Sequence, residues 1–102
     1  MLKPDLVAEL TLLPAEESAR SLPLPPGYSC PCFSSRDRRE NGWDARLLLE
    51  DESMALGETR TIGFVFLSGQ EAVEALSTKP TFFLWDGGII GEARVVEPSA
   101  LS

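Results

Sequence analysis

Residues 81–91 read Thr-Phe-Phe-Leu-Trp-Asp-Gly-Gly-Ile-Ile-Gly. This stretch is an apolar run, an Asp-Gly-Gly turn and a second apolar run. Glycine reaches the positive φ values that tight hairpin turns need, so two extended segments around this turn predict a β-hairpin. The second strand of the hairpin is expected to continue through Glu92 to Val96.

Four further strands are expected before the hairpin, three of them from alternating apolar and polar residues. They cover residues 7–13, 28–33, 43–49 and 59–67. Their inward faces are expected to carry Ala8, Leu10, Leu12, Trp43, Ala45, Leu47, Leu49, Ile62, Phe64 and Phe66. In the fourth strand Val65 and Leu67 make the opposite face only partly polar, so we expect part of that face to be covered.

The remaining segments connect these strands. Residues 14–27 carry four prolines, which remove backbone donors and predict a structured loop or a sheet edge. Residues 70–76 have the only helical character, enough for a single turn. About six strands with turn signals between them indicate an antiparallel barrel or sandwich, and closing the sheet removes its edges. We expect one domain over residues 7–97, a lead-in over 1–6 and a tail over 98–102.

Composition and charge narrow the function classes. The chain has 102 residues, 43% of them hydrophobic and 25% charged, which is typical of one globular domain. No apolar run is long enough to span a membrane, and the first residues do not form a secretory signal. With two cysteines, a reduced cytoplasmic protein is expected. The formal charge of −7 argues against nucleic acid and favours a basic partner.

Five features, in order, resemble the third domain of elongation factor Tu. They are Ala8-Glu9-Leu10, the Glu16-Glu17 pair with Arg20, Gly27-Tyr28, Leu56-Gly57-Glu58, and residues 82–91. The resemblance extends from Val7 to Val96 and implies a six-stranded antiparallel β-barrel. It also implies a domain without a catalytic role, because nucleotide hydrolysis in that family belongs to a separate GTP-binding domain. This chain has no glycine-rich phosphate loop.

In that family the third domain touches the T stem of aminoacyl-tRNA near its second strand and at the glycine turn. Here residues 29–37 lack the family's arginine-proline-glutamine start and its threonine pair. Trp85 and Ile89 stand where the family is charged. We therefore do not expect the tRNA contacts in this chain.

The sequence offers little catalytic chemistry. It contains no histidine, which excludes a histidine triad, a histidine zinc site and a histidine relay. Cys30 and Cys32 are two apart, so on a strand their sulfurs lie on one side and could meet a soft metal or form a disulfide. Two sulfurs fall short of the four ligands of zinc, and we predict buried structural thiols, with a redox role as the alternative. No cofactor and no metal is predicted.

Three groups of residues are candidates for partner binding. The loop arginines Arg36, Arg38 and Arg39 match phosphate oxygens, but interleaved acids favour a solvated loop tip. Arg20, beside Glu16 and Glu17, suits an ion pair that fixes the proline-rich loop, or a domain contact as in the family. The hairpin tip becomes a protein-binding patch if Trp85 is exposed. The candidate residues are Trp85, Gly87, Gly88, Ile89, Arg36, Arg39 and Arg20.

These observations predict a non-enzymatic protein-interaction module. The alternative is a translation-associated RNA-binding factor, which needs a basic stripe that the sequence offers only at Arg36 to Arg39. The sequence leaves the partner and the oligomeric state open.

Overall fold

Six antiparallel strands close into a barrel in the computed structural model, which describes residues 3–36 and 42–98. The strands are β1 (Leu6–Leu12), β2 (Ser29–Phe33), β3 (Trp43–Leu48), β4 (Thr59–Phe66), β5 (Thr81–Trp85) and β6 (Ile89–Pro98). Their order around the barrel is β1-β4-β3-β2-β5-β6, and β6 pairs with β1 to close it. The predicted six-stranded barrel is confirmed, and the sandwich alternative is wrong.

The barrel interior holds the residues that the alternation placed inward. Ala8, Leu10, Leu12, Ala45, Leu47, Leu49, Ile62, Phe64 and Phe66 are all buried, and Trp43 is half-buried against them. The Phe64 ring lies at the centre of an aromatic group, with ring centroids 6.2 Å from Phe66 and 5.3 Å from Phe82. The strand faces were therefore predicted correctly, because an antiparallel wall buries every second side chain.

Short segments outside the strands complete the core. Helix α1 (Gln70–Leu76) is seven residues long, more than the single turn predicted, and buries Ala72, Val73 and Leu76. Leu24 of the proline-rich loop and Met54 are fully buried and exchange two backbone hydrogen bonds of 2.9 Å. Within the described residues, no helix combines the length and apolar character that crossing a bilayer requires.

The predicted turn around Gly57 is present, with φ 83° at the glycine. The Glu58 carboxylate accepts hydrogen bonds from the Ala55 amide (2.9 Å) and from Arg60 (2.8 Å). These two bonds lower the pKa of Glu58. Arg60 also donates to the carbonyls of Glu52 and Ser53, so this pair of side chains holds the connection between β3 and β4 in shape.

The seam between β2 and β5 is the shortest in the barrel, with two residue pairs, Cys32↔Leu84 and Phe33↔Phe83. Pro31 explains why it ends there. The Leu47 amide donates to the Tyr28 carbonyl, so the backbone N–H and C=O groups of Tyr28 face β3. These groups alternate in direction along a strand, so those of Cys30 and Cys32 also face β3. The backbone of Pro31 therefore faces β5. Proline has no N–H to donate, so β2 and β5 separate beyond Cys32.

Candidate functional site

The hairpin tip, residues Trp85 to Ile89, is folded against the barrel. The register shifts between Leu84 and Trp85, so that Trp85 pairs with Ile89 across the turn. Trp85 is half-buried, and its ring packs edge-to-face with the ring of Phe33 at 5.9 Å between centroids. Trp85 therefore belongs largely to the packing of the barrel.

The proline-rich loop covers one side of this tip. The Ala19 amide donates to the Ile89 carbonyl (3.2 Å), and the Leu13 amide donates to the Ile90 carbonyl (3.0 Å). A Cβ atom at Gly88 would lie 2.8 Å from the Cβ of Ala19, so only glycine allows the loop to come this close. Gly88 and Ile89 are half-buried as a result, and the tip does not present the open apolar patch that full exposure of Trp85 would have made.

Three side chains far apart in sequence bind one another beside the tip, and we call them the clasp: Arg20, Tyr28 and Asp86. One oxygen of Asp86 accepts hydrogen bonds from the Tyr28 hydroxyl (2.6 Å) and from Arg20 Nη1 (3.2 Å). The Arg20 guanidinium lies 4.9 Å from the centre of the Tyr28 ring. Arg20 also donates to the carbonyls of Leu22 and Pro23, so it fixes the proline-rich loop, with Asp86 as its ion-pair partner.

The clasp lies where β2 and β5 separate, because Tyr28 precedes β2 and Asp86 follows β5. Its side chains connect the two strands at the point where Pro31 has no backbone N–H to donate. Burial and the hydrogen bond to Asp86 raise the pKa of the Tyr28 hydroxyl. The clasp is therefore a neutral phenol and an ion pair that hold the barrel closed.

We expect the Tyr28 hydroxyl to stay protonated in alkaline solution beyond the ordinary tyrosine pKa of about 10. Tyr28 is the only tyrosine, so the ultraviolet difference spectrum of tyrosinate reports it alone. Because the folded pKa is raised, the stability that Tyr28 contributes is complete below pH ~10 and is lost as the pH rises toward the folded pKa. Asp86→Ala should lower the titration midpoint toward that of the urea-unfolded chain. Equal midpoints in the folded and unfolded wild-type protein would contradict this prediction.

The predicted arginine site is only partly within the described residues. The Arg36 guanidinium lies 5.2 Å from the ring centre of Phe83, on the strand that ends in Trp85. Arg38 and Arg39 lie outside the described residues. Arg36 therefore covers an aromatic ring of β5 with its cationic group.

Cys30 and Cys32 are buried free thiols. Burial, followed by the hydrogen bond between Cys32 and Cys30, raises the pKa of Cys32. Among the described residues, no group of three or more cysteine, aspartate or glutamate side chains is arranged to hold a metal ion. The pair contributes small apolar side chains to the core.

Neither thiol should react readily with a thiol reagent in the folded protein, because both are buried and the raised pKa of Cys32 leaves that thiol little thiolate. Both should react at once in denaturant. The double variant Cys30→Ala with Cys32→Ala should keep the fold, with a modest fall in melting temperature. Rapid modification of the native protein would show that a thiol is accessible and would favour the redox alternative.

A second surface lies on the opposite face of β1, β4 and β3, and we call it the outer wall: Pro4, Val7, Leu48, Gly63, Val65 and Leu67. In the sheet register Gly63 lies between Val7 and Leu48, and the Pro4 ring stands close above it. These residues line an open depression of about 690 Å³, together with Thr61, Arg46 and Glu50. A second depression of about 360 Å³, lined by Val65 and Leu67, adjoins it at Arg46.

The sequence predicted that part of this face of β4 is covered by other residues. At Leu67 it is not, since this side chain is 85% exposed. Three charges border the depressions: Asp44, Arg46 and Glu50. None of them forms an ion pair with another described residue. Glu50 has a φ of 58°, in the left-handed region that residues other than glycine seldom adopt. The outer wall is thus an apolar trough bordered by unpaired charge.

Sequence reasoning marked only part of this surface. The apolar pair Val65 and Leu67 was the signal, and it pointed to the correct face of β4. Leu48 was assigned to neither face, and the depression at Gly63 depends on two strand registers at once.

Neither a scan against models of known protein families nor a search of curated proteins finds a match to this chain.

Proposed function

We propose that this chain is a non-enzymatic protein-interaction module of the cytoplasm, related to the third domain of elongation factor Tu but acting without a GTPase domain. The observation that carries the proposal is the outer wall. Outward faces of antiparallel barrels are ordinarily polar, because water covers them. Apolar side chains on three adjacent strands, with Leu67 85% exposed, suit a surface that another protein covers.

The charge and the residue types support the same proposal. A chain with formal charge −7 and no histidine suits association with a basic protein better than acid–base catalysis or binding to a polyanion. The hairpin tip and the clasp are used within the barrel: Arg20 and Asp86 bind each other, and Ala19 lies against Gly88. The free surface is therefore the outer wall rather than the tip.

Affinity capture of the tagged full chain from its source cells, followed by nuclease treatment, tests this proposal. We expect a protein to be recovered in constant proportion with or without nuclease. The Leu67→Arg variant should lose it. Leu22→Arg is the matched control, because Leu22 is also an exposed leucine (63%) but lies in the proline-rich loop.

Recovery of RNA in place of protein would favour the alternative, a translation-associated RNA-binding factor. Such binding should weaken steeply with salt and should be lost when Arg36 and Arg39 are both replaced by glutamate. We expect no measurable affinity for tRNA at physiological salt.

A further inference from the structure

We infer that the outer wall binds a segment of another protein in which an apolar side chain is flanked by lysines or arginines. This inference rests on the proposed function and adds the binding surface and the chemistry of the partner. It combines two independent features of the wall, the depression at Gly63 and the charges around it.

The depression selects an apolar side chain. Gly63 is a strand residue without a side chain, and its neighbours across the sheet, Val7 and Leu48, are apolar and half-buried. Pro4 and Leu48 fill the space directly over Gly63, where a Cβ atom would lie 2.6 Å from Pro4 Cβ, and with Val7 they line the open depression. A leucine-sized group placed here would contact carbon atoms on several sides and would remove both itself and the wall from water.

The charges that border the outer wall favour a partner segment with basic residues on both sides of its apolar group. Asp44 borders the wall at the Leu67 end, and Glu50 borders it at the Leu48 end. Asp51 and Glu52 follow Glu50 and are exposed. Arg46, between the two ends, is the one cation among the described residues that lines these depressions. The acids outnumber it, so an approaching chain is stabilised by positive charge at both ends of its apolar group.

The same charges disfavour other occupants. A second copy of this chain also carries a formal charge of −7, so the two copies would repel each other. In a symmetric dimer through the outer wall, carboxylates at the ends of the wall would face carboxylates. Nucleic acid would meet the same repulsion along its whole backbone. A basic segment of a different protein meets neither obstacle.

Two short synthetic peptides test the inference. Each has a central pair of leucines, and one is flanked by lysines while the other is flanked by glutamates. We expect the lysine peptide to shift the backbone amide signals of Leu48, Gly63 and Val65 in NMR spectra of the isotope-labelled protein, and the glutamate peptide to leave them unchanged. Equal effects of the two peptides, shifts confined to the hairpin tip, or no shifts at millimolar peptide would each overturn the inference.

Charge variants sharpen the test because they act in opposite directions. Arg46→Glu should tighten binding of the lysine peptide by roughly two- to fivefold, and Asp44→Lys should weaken it by a similar factor. Glu74→Lys, an exposed acid on α1, is the matched control and should change the affinity little. Changes of the same sign for Arg46→Glu and Asp44→Lys would overturn the electrostatic assignment.

The outcome for the wall can be separated from the outcome for the proposed function. If the full chain captures a protein that Leu67→Arg retains and Leu22→Arg loses, the interaction function stands and the outer wall is the wrong surface. Capture of RNA alone would reject the function itself. A dimer that sedimentation detects in the wild type but not in Leu67→Arg would identify a second copy as the occupant and overturn the basic-segment inference.

Discussion

Leu47→Asp is expected to unfold the domain. The Leu47 side chain is 1% exposed and lies opposite Phe64 of β4, so an aspartate there would place an unpaired carboxylate in the apolar interior. Such a charge costs at least several kcal/mol, which is comparable with the whole stability of about 5–15 kcal/mol of a small domain. Far-UV circular dichroism during a urea titration should show no folded baseline at physiological temperature.

Leu48→Asp is the matched control, because Leu48 is the next residue of β3 after Leu47 but points to the outer wall. The exposed part of its side chain leaves an aspartate in contact with water, so we expect a loss of about 1 kcal/mol and a cooperative transition. A similar transition midpoint for the two variants would mean that the faces of β3 are wrongly assigned.

Phe64→Ala is expected to lower the free energy of unfolding by about 3–5 kcal/mol. The ring is fully buried and lies between Phe66 and Phe82, which belong to different strands. Removing it leaves a space that the two flanking rings cannot fill without leaving their own positions. Chemical denaturation with a fixed slope gives the free-energy difference directly.

Val65→Ala provides the comparison for this cavity, since Val65 is the next residue on β4 and faces the outer wall. We expect it to lose less than half as much stability as Phe64→Ala. A loss in Phe64→Ala no greater than that in Val65→Ala would show that the centre of the core lies elsewhere.

The fold could be predicted from the sequence largely because the inward positions are uniformly apolar. Residues two apart on a strand point to the same face, so the apolar neighbours of Phe64 at positions 62 and 66 indicate that it points inward. This pattern can be seen within a few residues of sequence. Barrel closure follows from the need to remove sheet edges, although alternation alone is equally compatible with a sandwich. The helix was placed correctly and only its length was underestimated.

The candidate site was harder to predict because its contacts are not local. Arg20 and Asp86 are 66 residues apart, and nothing in the residues around Arg20 favours Asp86 over the nearer Glu16 and Glu17. The effect of Pro31 depends on which neighbouring strand its missing N–H would have faced, which requires the register of β2. The depression at Gly63 likewise appears only when both flanking strands are aligned.

The position of β1 governs how this chain folds during its synthesis. β1 pairs with β4 along one edge and with β6 along the other. The barrel therefore cannot close until β6 has been synthesised and pairs with β1. Contacts between segments so distant in sequence make folding slow. Until β6 leaves the ribosome, β1 and β5 each keep an open edge that can pair with other chains. A nascent chain stalled before residue 89 therefore exposes both edges, and aggregation competes with folding most strongly at that stage.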